Sequence, residues 1–265
     1  MNTWMWNLAL VILAVLLSTF LFFFIATRGA LLVRGLTDER SARSHVYPIY
    51  SNMRLMRLVD FQPIISAILL FQYDRLVAKI TTGIARSDLN RRRLLITSCA
   101  FGNVIPKVVE AGVAAGAERV LIADIIENEL IHARGKLGPH AERVEYLEQD
   151  ATRMELDDGT VDVNVMFFLL HELPDELKQR ALAEAGRLLA PGGRLYLAEF
   201  HRPRVWVLRA LSWTYFKVFE PLGLALWDRH DPLKSLERMG GWSCERTTLF
   251  FGNFQIIVAT KQPAE

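Results

Sequence analysis

Leu94-Leu95-Ile96-Thr97-Ser98-Cys99-Ala100-Phe101-Gly102 (LLITSCAFG) is the stretch from which the fold can be read. Leu94, Leu95 and Ile96 form a short apolar run of the kind a buried parallel strand requires. A turn of small residues follows at Ser98, Cys99 and Ala100, then Gly102, and from Val104 to Ala111 the apolar residues fall at helical spacing. This is a strand, loop and helix in succession. In a doubly wound sheet such a loop is where backbone N–H groups meet a ligand, and small residues let the main chain come close.

The same alternation continues downstream. Arg119–Ala123 reads as a second strand ending at Asp124, with a helix through Glu127–Lys136 closed by Gly138 and Pro139. Val144–Leu147 reads as strand three, with Asp150 just beyond it. Val161–Phe168, almost continuously hydrophobic, reads as strand four. A helix from Pro174 to Leu189 stops at Pro191-Gly192-Gly193, and Arg194–Glu199 follows as strand five. Late strands at Thr247–Phe251 and Phe254–Thr260, joined at Gly252 and Asn253, read as a hairpin. Strands alternating with helices imply a parallel sheet covered on both faces, here closed by a C-terminal hairpin.

Upstream the chain changes character. Leu8–Ala26 (LALVILAVLLSTFLFFFIA) has the length of a bilayer-spanning helix, and no Asp, Glu, Lys or Arg occurs before Arg28. Trp4 and Trp6 flank it, where indoles favour the membrane interface, and Arg28, Arg34, Arg40 and Arg43 follow it. The expectation is a single-pass anchor with the remaining chain on the cytoplasmic side; the alternative is a buried core helix. The division expected is therefore residues 1–27 as anchor, 28–93 as juxtamembrane linker and helical substrate or lid region, and 94–265 as the cofactor domain. Within the middle region Pro48 and Pro63 favour short helices, and Val59, Ile64, Ile65, Ile68, Leu69 and Phe71 suit either a core or a membrane-facing lid. A net charge of +2 makes no case for nucleic acid as a partner. Cys99 and Cys244 exclude a disulfide scaffold and show no metal-ligand spacing.

The loop at Leu94–Gly102 resembles the first motif of class I S-adenosylmethionine (SAM) methyltransferases, an acidic residue followed by three alternate glycines. Ile96 stands at the acidic position, Ser98 and Ala100 at the first two glycines, and Gly102 alone is retained. The segments DGTVDVNVMFFLLHEL and LLAPGGRLYLAEF resemble the second half of the same fold. The resemblance implies a Rossmann-like α/β domain that binds SAM along Ser98, Ala100 and Gly102. It implies Asp124 on the ribose hydroxyls, where a carboxylate can accept from both. Asp150 would meet the adenine amino group, with Ile125, Ala151 and Phe168 lining the cofactor.

FFLLHELP, EFHRP, SWTYFKVFEPLGLALWDRH and LFFGNFQ together are similar to the rhodoquinone-biosynthesis enzymes of the ubiquinone-methyltransferase lineage, from about Tyr47 to the C-terminus. That likeness implies an isoprenoid quinone as substrate, amination of ubiquinone with SAM as amino donor, and a divalent metal such as manganese. A conventional C- or O-methyltransferase acting on a quinone or lipid is the alternative. A tethered scaffold without SAM is disfavoured by the retained Asp124 and Asp150. His171 and Glu172 follow strand four, where a base or proton carrier would serve the reaction, though such a pair also makes local hydrogen bonds at helix starts. Val205–Trp227, aromatic and carrying only Arg209, Lys217 and Glu220 as charges, reads as a lipid-tail tunnel floor, an interfacial element or a covering helix.

Overall fold

The structure is a computed structural model that describes residues 3–24, 53–87, 89 and 92–263. The expected juxtamembrane linker, with Arg28, Arg34, Arg40, Arg43, Tyr47 and Pro48, lies outside the described residues. Helices are α1 (Thr3–Phe24), α2 (Met53–Val59), α3 (Gln62–Ile68), α4 (Tyr73–Ala85), α5 (Val104–Ala114), α6 (Glu127–Lys136), α7 (Asp175–Leu188), α8 (Trp206–Val218) and α9 (Pro232–Met239). Strands are β1 (Arg93–Thr97), β2 (Arg119–Asp124), β3 (Val144–Glu148), β4 (Val161–Phe167), β5 (Leu189–Phe200), β6 (Trp242–Leu249) and β7 (Phe254–Lys261).

The seven strands are ordered β3-β2-β1-β4-β5-β7-β6. β1 pairs in parallel with β2 on one side and β4 on the other, and β7 runs antiparallel between β5 and β6. Alternating side chains divide the core between the two faces, as the two-residue period of a strand demands. Leu94, Ile96, Val163, Val165, Tyr196 and Ala198 pack with α4 and α5 on one face. Leu95, Leu121, Met166, Leu195 and Leu197 pack with α7 on the other. Helix α5 sits close against β1 because Gly112 leaves room: a Cβ there would collide with the Leu94 side chain. Helix α4 buries Tyr73, Leu76, Val77, Ile80 and Ile84 against the same face.

Two expectations at the strand ends need correction. Strand five begins at Leu189, because Gly192, at φ +80°, lets Pro191-Gly192-Gly193 bulge out and the chain re-enter the ladder at Arg194 opposite Val163. Strand six runs from Trp242 to Leu249, not from Thr247 to Phe251. Its turn is made by Phe250, Phe251 and Gly252, all at positive φ, with the Gly252 N–H donating to the Leu249 carbonyl at 3.1 Å. Two phenylalanines in left-handed backbone are costly and leave no turn signature in the sequence.

Helix α1 forms as an uncharged 22-residue element, and every described side chain on it is exposed, Trp4 at 69% and Leu10 at 58%. Exposure of this kind argues against the core-helix alternative. Among the described residues, however, no helix is long and apolar enough to cross a membrane. The helix is thus formed, while the transmembrane span expected of it is not shown.

Candidate functional site

The strand order reverses direction between β1 and β4, and in sheets of this type the ligand crevice opens beyond the carboxyl ends of the strands at such a point. The loop after β1, the end of β2, the turn after β4 and the end of β5 therefore meet there. Ser98 takes φ +75°, a conformation that suits glycine, so the loop keeps a glycine-like course with a side chain added. Its N–H donates to the Ala123 carbonyl at 2.8 Å. Asp124 is 7% exposed and accepts from the Cys99 N–H at 2.7 Å on one oxygen and the Ile126 N–H at 2.9 Å on the other. Burial raises its pKa, with those two N–H bonds and Ser98 working against the shift. Each carboxylate oxygen has two acceptor positions, so Asp124 can shape the loop and still receive ribose hydroxyls.

Gly102, at φ +83°, is required because the phenol of Tyr73 lies where a Cβ would stand. The Tyr73 hydroxyl donates to the Phe101 carbonyl at 3.1 Å and accepts from the Val104 N–H at 2.7 Å. Asp60, just past α2, was not singled out from sequence, yet its carboxylate is central. One oxygen accepts from the Gly102 N–H. The other meets His132 Nε2 at 2.6 Å and Lys136 Nζ at 3.0 Å. Lys136 also donates to the Gly102 carbonyl at 2.9 Å. Burial opposes the charge on Asp60, but His132, Lys136 and the Gly102 N–H outweigh it and hold the carboxyl below the usual range. A carboxylate 42 positions upstream of the glycine it binds leaves no local motif.

Of the other expected cofactor positions, Ala100 is half-buried beside the core and Ile125 is 51% exposed at the rim. Asp150 is exposed, and its Oδ1 accepts from the N–H and the hydroxyl of Thr152, both at 2.8 Å, so it closes a local turn. Ala151 is half-buried against the second face of the sheet. Phe168, at φ +56°, lies edge-on to Phe167, Phe200, Phe254 and His171 with centroids 4.9–6.2 Å apart.

His171 is buried, and its Nδ1 lies 3.1 Å from Oε1 of Glu199, a residue with no exposed surface near the end of β5. Its Nε2 is 4.0 Å from Glu172 Oε1. Burial works against a charged ring, but Glu199 first, then Glu172 and Glu220, push its pKa up to about 9. The ring therefore carries both protons at neutral pH and is a donor rather than a vacant base. Around it Phe200, Phe216, Phe254 and Trp227 form an aromatic wall in which the Trp227 indole N–H meets no acceptor. Helix α8 contributes Phe216 to this wall while exposing Trp206, Val207, Leu211 and Trp213. Among the described residues no group of three or more His, Cys, Asp or Glu side chains is arranged to hold a metal ion, so the manganese admitted by the resemblance has no site there.

A sequence profile described as the ubiE/COQ5 methyltransferase family matches residues 60–236. The chain is 34% identical over 111 residues to a demethylmenaquinone methyltransferase of Clavibacter sepedonicus, covering 42% of this chain and 44% of that protein. It is 38% identical over 106 residues to the ubiquinone/menaquinone biosynthesis C-methyltransferase UbiE of Acidiphilium cryptum, covering 38% and 42%. The chain thus spans less than half the length of these curated relatives. Among solved structures, the CurJ carbon methyltransferase superposes with TM-score 0.65 at 17% identity over 99% of this chain and 72% of that one. A SAM-dependent methyltransferase from Aquifex aeolicus gives TM-score 0.51 at 18% identity, over 70% and 89%. At these identities the two structures bear on the fold alone.

Proposed function

Since the chain belongs to the ubiE/COQ5 methyltransferase family, a family of SAM-dependent enzymes, we propose that it transfers the SAM methyl group to a ring carbon of an isoprenoid quinone precursor. One observation carries the choice of acceptor: the His171 imidazole, its Nδ1 3.1 Å from the buried Glu199 carboxylate, lies among Phe168, Phe200 and Phe254 beyond β4 and β5. Such a wall suits a flat ring, and an imidazolium donor suits the oxygen of a reduced, ionised quinol. When bound, SAM supplies an electrophilic methyl. The chain's part is to hold the adenosine end at Asp124 and Asp150, to stabilise the ring oxygen from His171 Nε2, and to accept the displaced ring proton at Glu172. Methyl transfer to the ring carbon would leave S-adenosylhomocysteine and one ring proton, the proton that Glu172 would accept.

Relatives named as quinone methyltransferases favour this reading over the amination expected from sequence. The glycine-like course of the loop at Ser98 favours it too, because the main chain keeps the left-handed conformation that a glycine would take there. Incubation with SAM carrying carbon-13 on the methyl and nitrogen-15 on the amino group, together with demethylated and mature quinones, separates the two. Carbon-13 in the product is the expected result; nitrogen-15 there would replace methyl transfer with amination.

The same reading assigns α1 as a single-pass anchor with the α/β body on the cytoplasmic side. Its supports are the uncharged sequence of α1 with its exposed Trp4 and Trp6, and the exposed indoles of Trp206 and Trp213 on α8. Flotation with liposomes tests it: the full chain should float and a chain beginning at residue 25 should float less, whereas equal flotation of both removes α1 as the anchor.

A further inference from the structure

Glu129 lies in the first turn of α6, five positions past Asp124, and is 2% exposed. Among the described residues its Oε1 meets no hydrogen-bond donor. A buried carboxyl oxygen without a donor is rare, because its desolvation goes uncompensated. The groups that act on it electrostatically are Cys99 in the loop, Asp124 at the end of β2, Glu172 in the turn after β4, Asp60 just past α2, and Lys136 on its own helix. Burial pushes its pKa up to about 9, and the Asp124 carboxylate adds to the shift. Asp124, Glu172 and Asp60 thus add negative charge around Glu129, and the ammonium of Lys136 is already committed to Asp60 and the Gly102 carbonyl. Among the described residues Glu129 Oε1 is a buried acceptor to which no cation donates. Strand β1 brings no charge to it, since Ile96 is buried among apolar neighbours.

We infer that Glu129 receives the α-ammonium of the amino-acid end of SAM, an assignment that rests on the cofactor reading above. SAM carries two cationic centres. The sulfonium has no N–H or O–H to donate, whereas the ammonium has three, and the unfilled position at Glu129 Oε1 calls for a donor. The bond formed is charge-assisted, and the incoming cation draws the carboxyl into its ionised state.

Calorimetry on the full chain in detergent micelles tests this with three probes: SAM, S-adenosylhomocysteine and 5′-methylthioadenosine. The last keeps the adenosine and lacks the ammonium. In Glu129→Gln, an isosteric change, SAM and S-adenosylhomocysteine should both weaken by about tenfold to a hundredfold, the size of a lost hydrogen bond to a charged group. Binding of 5′-methylthioadenosine should stay unchanged, which also shows that the variant is folded. Unchanged SAM affinity overturns the assignment, as does an equal loss for 5′-methylthioadenosine, which would make Glu129 a support of the loop. If SAM weakens while S-adenosylhomocysteine does not, the sulfonium is the partner and the ammonium assignment falls. Failure of all three to bind the wild-type chain removes the cofactor reading and this inference with it.

Discussion

Replacing Glu199 with Gln removes the carboxylate that touches His171 Nδ1 and nearly preserves its shape. In the native chain the ring pKa rises from 6.5 to about 9. At ~1.4 kcal/mol per unit, that difference makes the protonated ring stabilise the fold by about 3 kcal/mol. The contribution is fully present below pH 6.5, where the unfolded chain is protonated too, and is lost as the pH rises through 9. Without Glu199, the penalty of burying the charge is opposed only by the remaining carboxylates Glu172 and Glu220, so the ring should titrate below 6.5 and be neutral at pH 7. The assay is a pH titration of the imidazole nitrogens by NMR in histidine-labelled protein, with His171 identified by the signal lost in His171→Phe. The expected pattern is a doubly protonated ring at pH 7.5 in the native chain and a neutral one in Glu199→Gln. A native ring that titrates at or below 6.5, or a variant that titrates like the native chain, would refute the reasoning and leave Glu172 without its charged neighbour.

Asp124→Asn should weaken SAM by roughly 1–3 kcal/mol, read by calorimetry, because the amide must turn an NH₂ toward the Cys99 or Ile126 N–H; unchanged affinity would detach Asp124 from the cofactor. Gly102→Ala should destabilise the fold by at least ~1–2 kcal/mol from the positive φ alone, with the Tyr73 ring adding to it, and urea unfolding at the native midpoint would show the ring yields freely. Asp60→Asn should speed hydrogen exchange across α2 while leaving β1 and β4 protected; no change would mean the helix is held by its buried Met56 and Val59.

The strands β1, β2 and β4 were legible because each is covered on both faces and so writes a nearly continuous apolar run. Helix α6 falls at the residues its pattern predicts, Glu127–Lys136. The hairpin was less legible: β6 has one half-exposed face and a turn built from Phe250 and Phe251, residues that carry no turn signal. Asp124 could be found because it ends a strand. Asp60, His132 and Lys136 could not, since their ion pairs join elements 72 and 76 positions apart. Glu129 was hidden for another reason: in sequence it is one of two acidic residues in a helix's first turn, a common and solvated place for them. Only its burial sets it apart. The middle region divided where two readings had stayed open, with Val59, Ile65 and Leu69 entering the core and Phe71, at 74% exposure, facing out.

The Asp60 bridge has a thermodynamic consequence. Helix α2 and the loop over the crevice share one buried carboxylate, so the positions of the two are not independent variables. A ligand that binds the loop as it stands here and the placement of α2 as it stands here would each favour the other, because linkage is reciprocal. Phe61 and Phe71 stand outward on the segment that α2 begins, 58% and 74% exposed. A contact that displaces those two rings would reach the loop through the bond between the Gly102 N–H and the Asp60 carboxylate.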